Sequence, residues 1–344
     1  MIKVLVVDDS AVVRQVITNE LSKFSDIEVV GSAVDPFVAR DKIAQLRPDV
    51  ITLDIEMPRM DGLSFLSKLM AHYPIPVVIV SSLAPQNSEN AIRALALGAV
   101  EIIGKPGSQF SAPDVGGELV RAVRTASMAR VSARVERSKS SSKRTTRPTL
   151  ETTHKVIAIG ASTGGTTALL DVLSDFPPNC PGIVIVQHMP MGFTSAFAKR
   201  LNQSCSIEVR EAKNGDSVVP GVALLAPGNS HMLLQRSGAR YSVVVKDGPF
   251  VNFQKPSVDV LFHSVAKSAG SNALGVILTG MGKDGARGLL EMRNSGAATI
   301  AQDEASCVVF GMPKEAINLG AVQEVFSLHD IPKALFRSAA PVPA

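Results

Sequence analysis

The sequence lacks tryptophan and has only two tyrosines, so aromatic residues make up 4% of its 344 residues. Proteins that bind single-stranded nucleic acids stack the bases on aromatic side chains, and this composition argues against that class. No apolar stretch approaches the roughly 20 residues that a membrane-spanning helix requires. The first nine residues, which end in Asp8 and Asp9, predict no signal peptide. We therefore expect a cytoplasmic protein without membrane insertion and without a nucleic-acid partner.

Cysteine is also scarce. Cys180, Cys205 and Cys307 are odd in number and lack the spacing of a metal site. This pattern predicts a reduced protein without disulfides.

Positive charge is concentrated in one segment. Nine basic residues and one acid lie between Arg121 and Arg147, in a region rich in serine, and the rest of the chain is net acidic. The early part, with Leu119, Val120 and Val123, can complete a helix. Because the rest repels itself, we predict a flexible linker over 121–152. A basic docking segment for an acidic partner is the alternative. The predicted domains are 1–120 and 153–344.

Both predicted domains alternate buried strands with helical stretches. This rhythm is typical of βαβ units, and we predict two α/β domains, each a doubly wound parallel sheet, the second with an antiparallel edge hairpin of 231–235 and 241–246. In the first domain a helix is predicted over 10–24. The predicted strands are 2–7, 50–53, 77–80, 102–103, 155–159, 183–186, 206–210, 222–225, 241–246, 274–279 and 298–301. The predicted helices of the second domain are 166–174, 193–203, 258–269, 285–295 and 313–319.

Polar residues follow the strands of the first domain at their carboxyl ends, where parallel sheets bind ligands. They are Asp8 and Asp9, Asp54, Ser81 and Lys105. Three carboxylates at one edge repel one another unless a cation neutralises them, and oxygen ligands favour Mg²⁺. We therefore predict that Asp8, Asp9 and Asp54 hold this ion.

This half resembles the receiver domain of two-component response regulators, and its sheet is expected to be flavodoxin-like. The resemblance is carried by Asp8-Asp9, Asp54, Met57-Pro58-Arg59-Met60-Asp61-Gly62, Ser81 and Lys105-Pro106. It implies that Asp54 accepts a phosphoryl group from a histidine kinase, and that Ser81 and Lys105 form the switch. Ile102 stands where receivers often carry an aromatic residue.

In the second half, the predicted strand 155–159 leads into Gly160-Ala161-Ser162-Thr163-Gly164, which fits the pattern G-x-S-x-G. We expect a sharp turn at Gly160 that raises Ser162 above the sheet beside a helix N-terminus. A serine there can act as a nucleophile if a base and an acid lie nearby.

Candidates for the base and the acid also follow predicted strands. His188 follows 183–186, and His231, in a loop, is its competitor. Asp284 lies in a glycine-rich turn after 274–279, where it can orient an imidazole or cap the following helix. The free N–H of Met281 in this turn can bind an oxyanion.

Gly280-x-Gly282-x-x-Gly285 supports a rival interpretation. It follows a predicted strand, precedes a predicted helix, and is followed 18 residues later by Asp303, the spacing of a dinucleotide site. This alternative is an NAD-binding oxidoreductase under receiver control, but it leaves Ser162 and His188 without roles. A non-enzymatic, phosphorylation-dependent interaction protein is a third hypothesis.

The second half resembles the Rossmann-like catalytic domain of chemotaxis protein-glutamate methylesterases. The resemblance is carried by Gly160–Gly165, Gln187-His188-Met189, Pro256-Ser257-Val258-Asp259, Thr279–Gly285, Ala301–Glu304 and Gly311-Met312-Pro313. It implies that Ser162, His188 and Asp284 are nucleophile, base and acid. It also implies methyl-ester hydrolysis and glutamine deamidation on the cytoplasmic helical domain of methyl-accepting receptors, with inhibition by the unphosphorylated receiver and no cofactor in this domain. Thr163, next to the nucleophile, is a predicted substrate contact.

Overall fold

The computed structural model describes residues 1–57, 61–82, 85–105, 115–131 and 155–339. Residues 58–60 and Pro106 of the receiver motif, and residues 132–152 of the predicted linker, lie outside these ranges. The chain divides into two compact units, Met1–Ser138 and Lys139–Ala344. No helix within the described ranges is long and apolar enough to cross a membrane.

The first unit contains a five-stranded parallel sheet with strand order β2-β1-β3-β4-β5. The predicted parallel architecture is confirmed. The strands are β1 (Ile2–Val7), β2 (Ile27–Ala33), β3 (Val50–Leu53), β4 (Val77–Ser81) and β5 (Glu101–Gly104). The helices are α1 (Ala11–Leu21), α2 (Pro36–Leu46), α3 (Gly62–His72), α4 (Pro85–Ala96) and α5 (Val115–Ser127). The sequence patterns did not predict β2, an edge strand whose middle residues are only half-buried.

Helix α5 continues across residue 120, where the linker was predicted to begin. Leu119, Val120 and Val123 are buried on the face of α5 that packs into the core of this unit. The first seven residues of the predicted linker, 121–127, are therefore helical. The helix end expected from Leu119, Val120 and Val123 is present, and these residues are buried.

The second unit contains a seven-stranded sheet with order β15-β14-β13-β6-β7-β10-β8, in which all neighbours are parallel. Its strands are β6 (Val156–Ala161), β7 (Gly182–Gln187), β8 (Glu208–Glu211), β10 (Val222–Leu225), β13 (Ala273–Ile277), β14 (Ala298–Gln302) and β15 (Glu324–Phe326). The helices are α6 (Gly165–Ser174), α7 (Phe193–Ser204), α8 (Val258–Ala269), α9 (Ala286–Asn294), α10 (Met312–Asn318) and α11 (Ile331–Ala339). The sequence patterns missed α11 and the short edge strand β15.

The predicted hairpin is present as β11 (His231–Ser237) and β12 (Arg240–Lys246). It is not an edge of the parallel sheet, however. Together with the short β9 (Ser217–Val218) it forms a separate three-stranded antiparallel sheet. Met232, Leu234 and Val243 alternate toward the core, so the hairpin packs one face against the domain instead of extending the parallel sheet.

The order in which the chain adds strands to the sheet reverses between β13 and β6, which are parallel neighbours. From β6 the chain moves to β7 on one side, and from β13 it moves to β14 on the other. Open α/β sheets bind ligands in the crevice at the carboxyl ends of the strands at such a switch point. Ser162 and Asp284 both follow strands that border this crevice.

Candidate active site

Ser162 is the first residue after β6. The prediction of a turn at Gly160 was wrong, because β6 continues to Ala161. Gly160 is required for packing instead: a Cβ at this position would lie 2.3 Å from Cγ1 of Val258 on α8. The chain turns at Gly164, whose φ of 78° suits glycine, and α6 begins. Ser162 is buried beside the start of α6.

His188 lies beside Ser162 because their strands pair in register. Ala161 pairs with Gln187, so Ser162 and His188 are the first residues beyond two adjacent strand ends. The His188 N–H donates to the Ala161 carbonyl at 3.0 Å, which continues the ladder by one bond. The imidazole is therefore held at the same edge of the sheet as the hydroxyl.

The imidazole of His188 contacts Asp284 through one nitrogen only. Nε2 lies 2.8 Å from Asp284 Oδ2. Nδ1 is buried and has no hydrogen-bond partner among the described residues. A carboxylate only accepts hydrogen bonds, so Nε2 carries the proton and Nδ1 has a free lone pair in the neutral ring. This is the protonation state that a general base requires.

Asp284 is buried and accepts hydrogen bonds from several donors besides His188. The Ser257 hydroxyl (2.8 Å), the Asn252 amide (2.9 Å) and the Asp259 N–H (3.3 Å) donate to Oδ1. The Val258 N–H donates to Oδ2 at 2.7 Å. Burial acts to raise the pKa of Asp284, but the hydrogen bond and charge of His188, with the amide and hydroxyl donors, outweigh burial and hold the pKa below its usual value.

Asp284 does not cap the helix that follows it. The N-cap of α9 is Gly285, which makes no side-chain capping bond. The carboxylate instead lies at the N-terminus of α8, where free N–H groups and the helix dipole favour a negative charge. The N-cap of α8 is Ser257, whose hydroxyl also accepts the Val260 N–H.

His231, the competing base, is occupied at both ring nitrogens. Nε2 lies 2.8 Å from the Pro249 carbonyl, and Nδ1 accepts the Ser257 N–H at 3.2 Å. The ring is buried. It therefore joins the loop before α8 to β11 and has no lone pair to offer Ser162.

Two residues that position the site had no role in the sequence-based prediction. The Gln187 amide donates to the carbonyls of both Ser162 (2.8 Å) and His188 (3.0 Å), so it ties the two strand ends together. Asn252 bonds Asp284 from a loop. Gln187 stands in the quoted motif beside His188, a signal that could have identified it. For Asn252 no spacing or periodicity pointed to the site.

The glycine-rich turn after β13 closes over Ser162. A Cβ on Gly280 would lie 2.6 Å from Ser162 Cβ and 2.4 Å from Met312 Sδ, so only glycine fits there. Met281 follows at the surface, and its part in binding an oxyanion stays a prediction. Thr163 is buried, and its carbonyl accepts the Thr279 hydroxyl at 3.0 Å. Its contact with substrate also stays a prediction.

The packing of the same turn argues against the alternative that Gly280–Gly285 binds a dinucleotide. The space that Gly280 leaves is filled by Ser162 and Met312, and the space at Gly285 is filled by Val258. Asp303 accepts the N–H of Ser306 at 2.9 Å within its own loop. Gly280 and Gly285 are thus explained by packing of the chain against itself, and Gly282 by its φ of 90°.

In the first unit, the predicted polar residues converge at the carboxyl edge of the sheet. Lys105 Nζ lies 2.7 Å from Asp54 Oδ2 and 3.2 Å from Asp8 Oδ2. Carboxylate oxygens of Asp8, Asp9 and Asp54 lie within 4.8 Å of one another. Ser81 ends β4, and its carbonyl accepts the Lys105 N–H at 2.9 Å.

Asp8 and Asp54 are buried at this edge, where several carboxylates lie close together. Burial raises the pKa of Asp54 to about 6, against the opposing effect of Lys105 and with a contribution from Asp8. Asp8 Oδ2 is buried without a well-formed hydrogen bond, although Lys105 is near. Among the residues that the structure describes, three carboxylates face the Lys105 ammonium group, a donor set that suits a divalent cation with oxygen ligands. Ile102 is buried in β5.

Two known families match the chain. The family described as CheB methylesterase matches residues 157–335. The family described as response regulator receiver domain matches residues 4–111. These matches support neither the dinucleotide-binding nor the non-enzymatic hypothesis.

Similar proteins span nearly the whole chain. A protein of Syntrophus aciditrophicus strain SB, named protein-glutamate methylesterase/protein-glutamine glutaminase 2, is 62% identical over 98% of this chain and 98% of its own length. A protein-glutamate methylesterase/protein-glutamine glutaminase of the group 3 operon of Rhodopseudomonas palustris is 56% identical and covers 97% of this chain and 95% of its own. The solved CheB methylesterase catalytic domain of Thermotoga maritima is 38% identical, with a TM-score of 0.52 over 53% of this chain and 97% of that one.

Proposed function

The chain belongs to the CheB methylesterase family, and we propose that it is a phosphorylation-activated serine hydrolase that demethylates and deamidates chemotaxis receptors. Its substrates are glutamate methyl esters and glutamines on the cytoplasmic helical domain of methyl-accepting receptors. The names of the relatives support this substrate class. The observation that carries the chemistry is the hydrogen bond of 2.8 Å from His188 Nε2 to Asp284, which leaves His188 Nδ1 without a hydrogen-bond partner among the described residues.

In the proposed mechanism, Ser162 Oγ attacks the ester carbonyl carbon while its proton passes to His188 Nδ1. Asp284 stabilises the imidazolium that forms and keeps the ring oriented. The N–H groups of the glycine-rich turn, Met281 among them, hold the oxyanion. The proton then passes from His188 to the methoxy oxygen, and methanol leaves.

Water completes the cycle. His188 takes a proton from a water molecule, whose oxygen attacks the acyl-serine, and the glutamate carboxylate and the Ser162 hydroxyl are released. With glutamine as substrate the same steps release ammonia in place of methanol. Because Asp284 is held by donors of α8 and its loop, it keeps its orientation through these changes of charge.

The receiver half is the proposed control element. Asp54 accepts a phosphoryl group from a chemotaxis histidine kinase, and a cytoplasmic location follows from that partner. Asp8, Asp9 and Asp54 would hold Mg²⁺, which would neutralise the charge of the transferring phosphoryl group when bound. Lys105 would pair with the new anion on Asp54, and Ser81 ends the neighbouring strand. We propose that this change raises the activity of the catalytic half.

Methanol release from methylated receptors, measured with and without a small-molecule phosphodonor, tests the proposal. Ser162→Ala is expected to abolish release, and Asp54→Asn to abolish only the stimulation. Ser174→Ala is the matched control, because this hydroxyl donates to the Leu170 carbonyl at the far end of α6. Full activity of the Ser162 variant would refute the assignment of the nucleophile.

A further inference from the structure

The loop before α8 makes a tight turn at Asn252 and Phe253. The Val251 N–H donates to the Gln254 carbonyl at 3.1 Å, and the Gln254 N–H donates back at 2.9 Å. Both central residues have positive φ, 51° for Asn252 and 64° for Phe253. This is the pattern of a type I′ turn, which favours Asn followed by Gly. A bulky phenylalanine in the left-handed region is strained.

The turn is attached to the catalytic acid. The Asn252 amide donates to Asp284 Oδ1 at 2.9 Å and to Asp259 Oδ2 at 2.8 Å. Asn252 therefore points inward, and its left-handed backbone is held by two carboxylates. Phe253, the next residue, is exposed to solvent instead.

Phe253 is 90% exposed, more than any other large apolar residue that the structure describes. Two further exposed apolar side chains lie within three residues of a catalytic residue in the sequence. Met191 is 43% exposed and Met281 is 38% exposed. Met191 comes three residues after His188, and Met281 three residues before Asp284. We call Met191, Phe253 and Met281 the apolar rim.

We propose that Phe253 is a specificity-determining contact that binds the receptor helix beside the glutamate being hydrolysed; the inference rests on the proposed function. The ester lies at the end of one side chain of a folded helix, so the surface of that helix must approach the residues around the buried Ser162. Phe253 is exposed in the turn whose Asn252 amide bonds Asp284, so it lies near the catalytic residues. Strain is retained at functional sites, and methionine side chains adapt to varied apolar partners. We therefore expect the rim to bind apolar residues of the receptor helix beside the modified glutamate.

Phe253→Gly gives the sharpest test, because it removes the ring and relieves the strain of the turn together. In the full-length, phosphodonor-treated enzyme, we expect the KM for methylated receptor to rise about tenfold, with kcat within about twofold of the parent. The urea midpoint of unfolding is expected to stay equal or rise, since Asn-Gly suits this turn. The rate at which a sulfonyl fluoride inactivates Ser162 is expected to be unchanged, because this small reagent does not span the rim.

Two further variants calibrate the result. Phe253→Leu keeps an apolar side chain and is expected to retain KM within about threefold. Val219→Ala is the control for loss of an exposed apolar residue: Val219 is 42% exposed and lies beside Gly182, at the opposite edge of the sheet. It is expected to leave both kinetic constants unchanged.

An unchanged KM in Phe253→Gly would overturn the inference. So would an increase in activity without phosphodonor at constant KM, since that result would assign Phe253 to inhibition by the receiver. Failure of the proposed function has a different signature. In that case Ser162→Ala would remain active on receptor, whatever Phe253→Gly did.

Discussion

Replacement of Asp284 by asparagine is the most informative single change in the catalytic domain. The carboxylate receives donors at both oxygens, and an asparagine amide can accept at only one of them. Three donors, from Asn252, Ser257 and Asp259, meet Oδ1, so the amide oxygen is expected to take that position. The NH₂ group then faces His188.

This orientation has two consequences. The NH₂ group donates to His188 Nε2 and forces the proton onto Nδ1, so the base loses its lone pair toward Ser162. The wrong tautomer costs about 10⁴-fold in other Ser-His-Asp enzymes, and we expect a fall in kcat of about 10³–10⁴-fold. The Val258 N–H loses its charged acceptor, which lies 2.7 Å away, and the free energy of unfolding should fall by about 2–3 kcal/mol.

The stability effect depends on pH in a direction set by the lowered pKa of Asp284. A carboxyl group whose folded-state pKa lies below its ordinary value of 3.8 stabilises the fold above that pH, and this contribution is lost as the pH falls through the folded-state pKa. The difference in unfolding free energy between the parent and Asp284→Asn is therefore largest at neutral pH. It should shrink as the solution is acidified below pH 3.8.

Methanol release and urea unfolding at several pH values measure both effects. Asp259→Asn is the matched control, since this carboxylate bonds Asn252 and the Gly288 N–H but does not contact His188. A comparable loss of kcat in both variants would refute the tautomer argument. So would more than a tenth of the parental activity in Asp284→Asn.

Three other predictions have defined outcomes. Gly280→Ala forces a methyl group against Ser162 and should abolish methanol release. Gly275→Ala is its control: the new Cβ would lie 2.6 Å from Leu289 Cδ1, away from the triad, and should mainly lower the unfolding midpoint. Gln187→Leu removes the donors to the Ser162 and His188 carbonyls and should lower kcat about 10–100-fold with little change in KM; an unchanged kcat would show that the two strand ends hold their positions alone. Chelation of Mg²⁺ should abolish stimulation by phosphodonor and leave the unstimulated rate intact, and stimulation that survives EDTA would contradict the proposed ion site.

Much of this organisation could be read from local patterns. Runs of apolar residues predicted the central strands. The bounds of β10 and α8 are those predicted. Parallel strands end at one edge of a sheet, so the order of strands and polar residues along the chain also predicted which side chains converge. For the receiver carboxylates and for Ser162 and His188, this geometry is a consequence of chain order and strand direction.

Other features depended on contacts between distant segments, which no local pattern encodes. Gly160 lies within its strand and must be glycine because Val258, almost a hundred residues later, occupies the space where a Cβ would be. Asp284 resembles a cap of its own helix but lies at the start of α8, held there by Asn252 and Ser257. Secondary structure follows from the periodicity of neighbouring residues, whereas the partner of a buried carboxylate is chosen when separate βα units pack together. The assignment of donor and acceptor at His188, on which the chemistry rests, therefore came from packing.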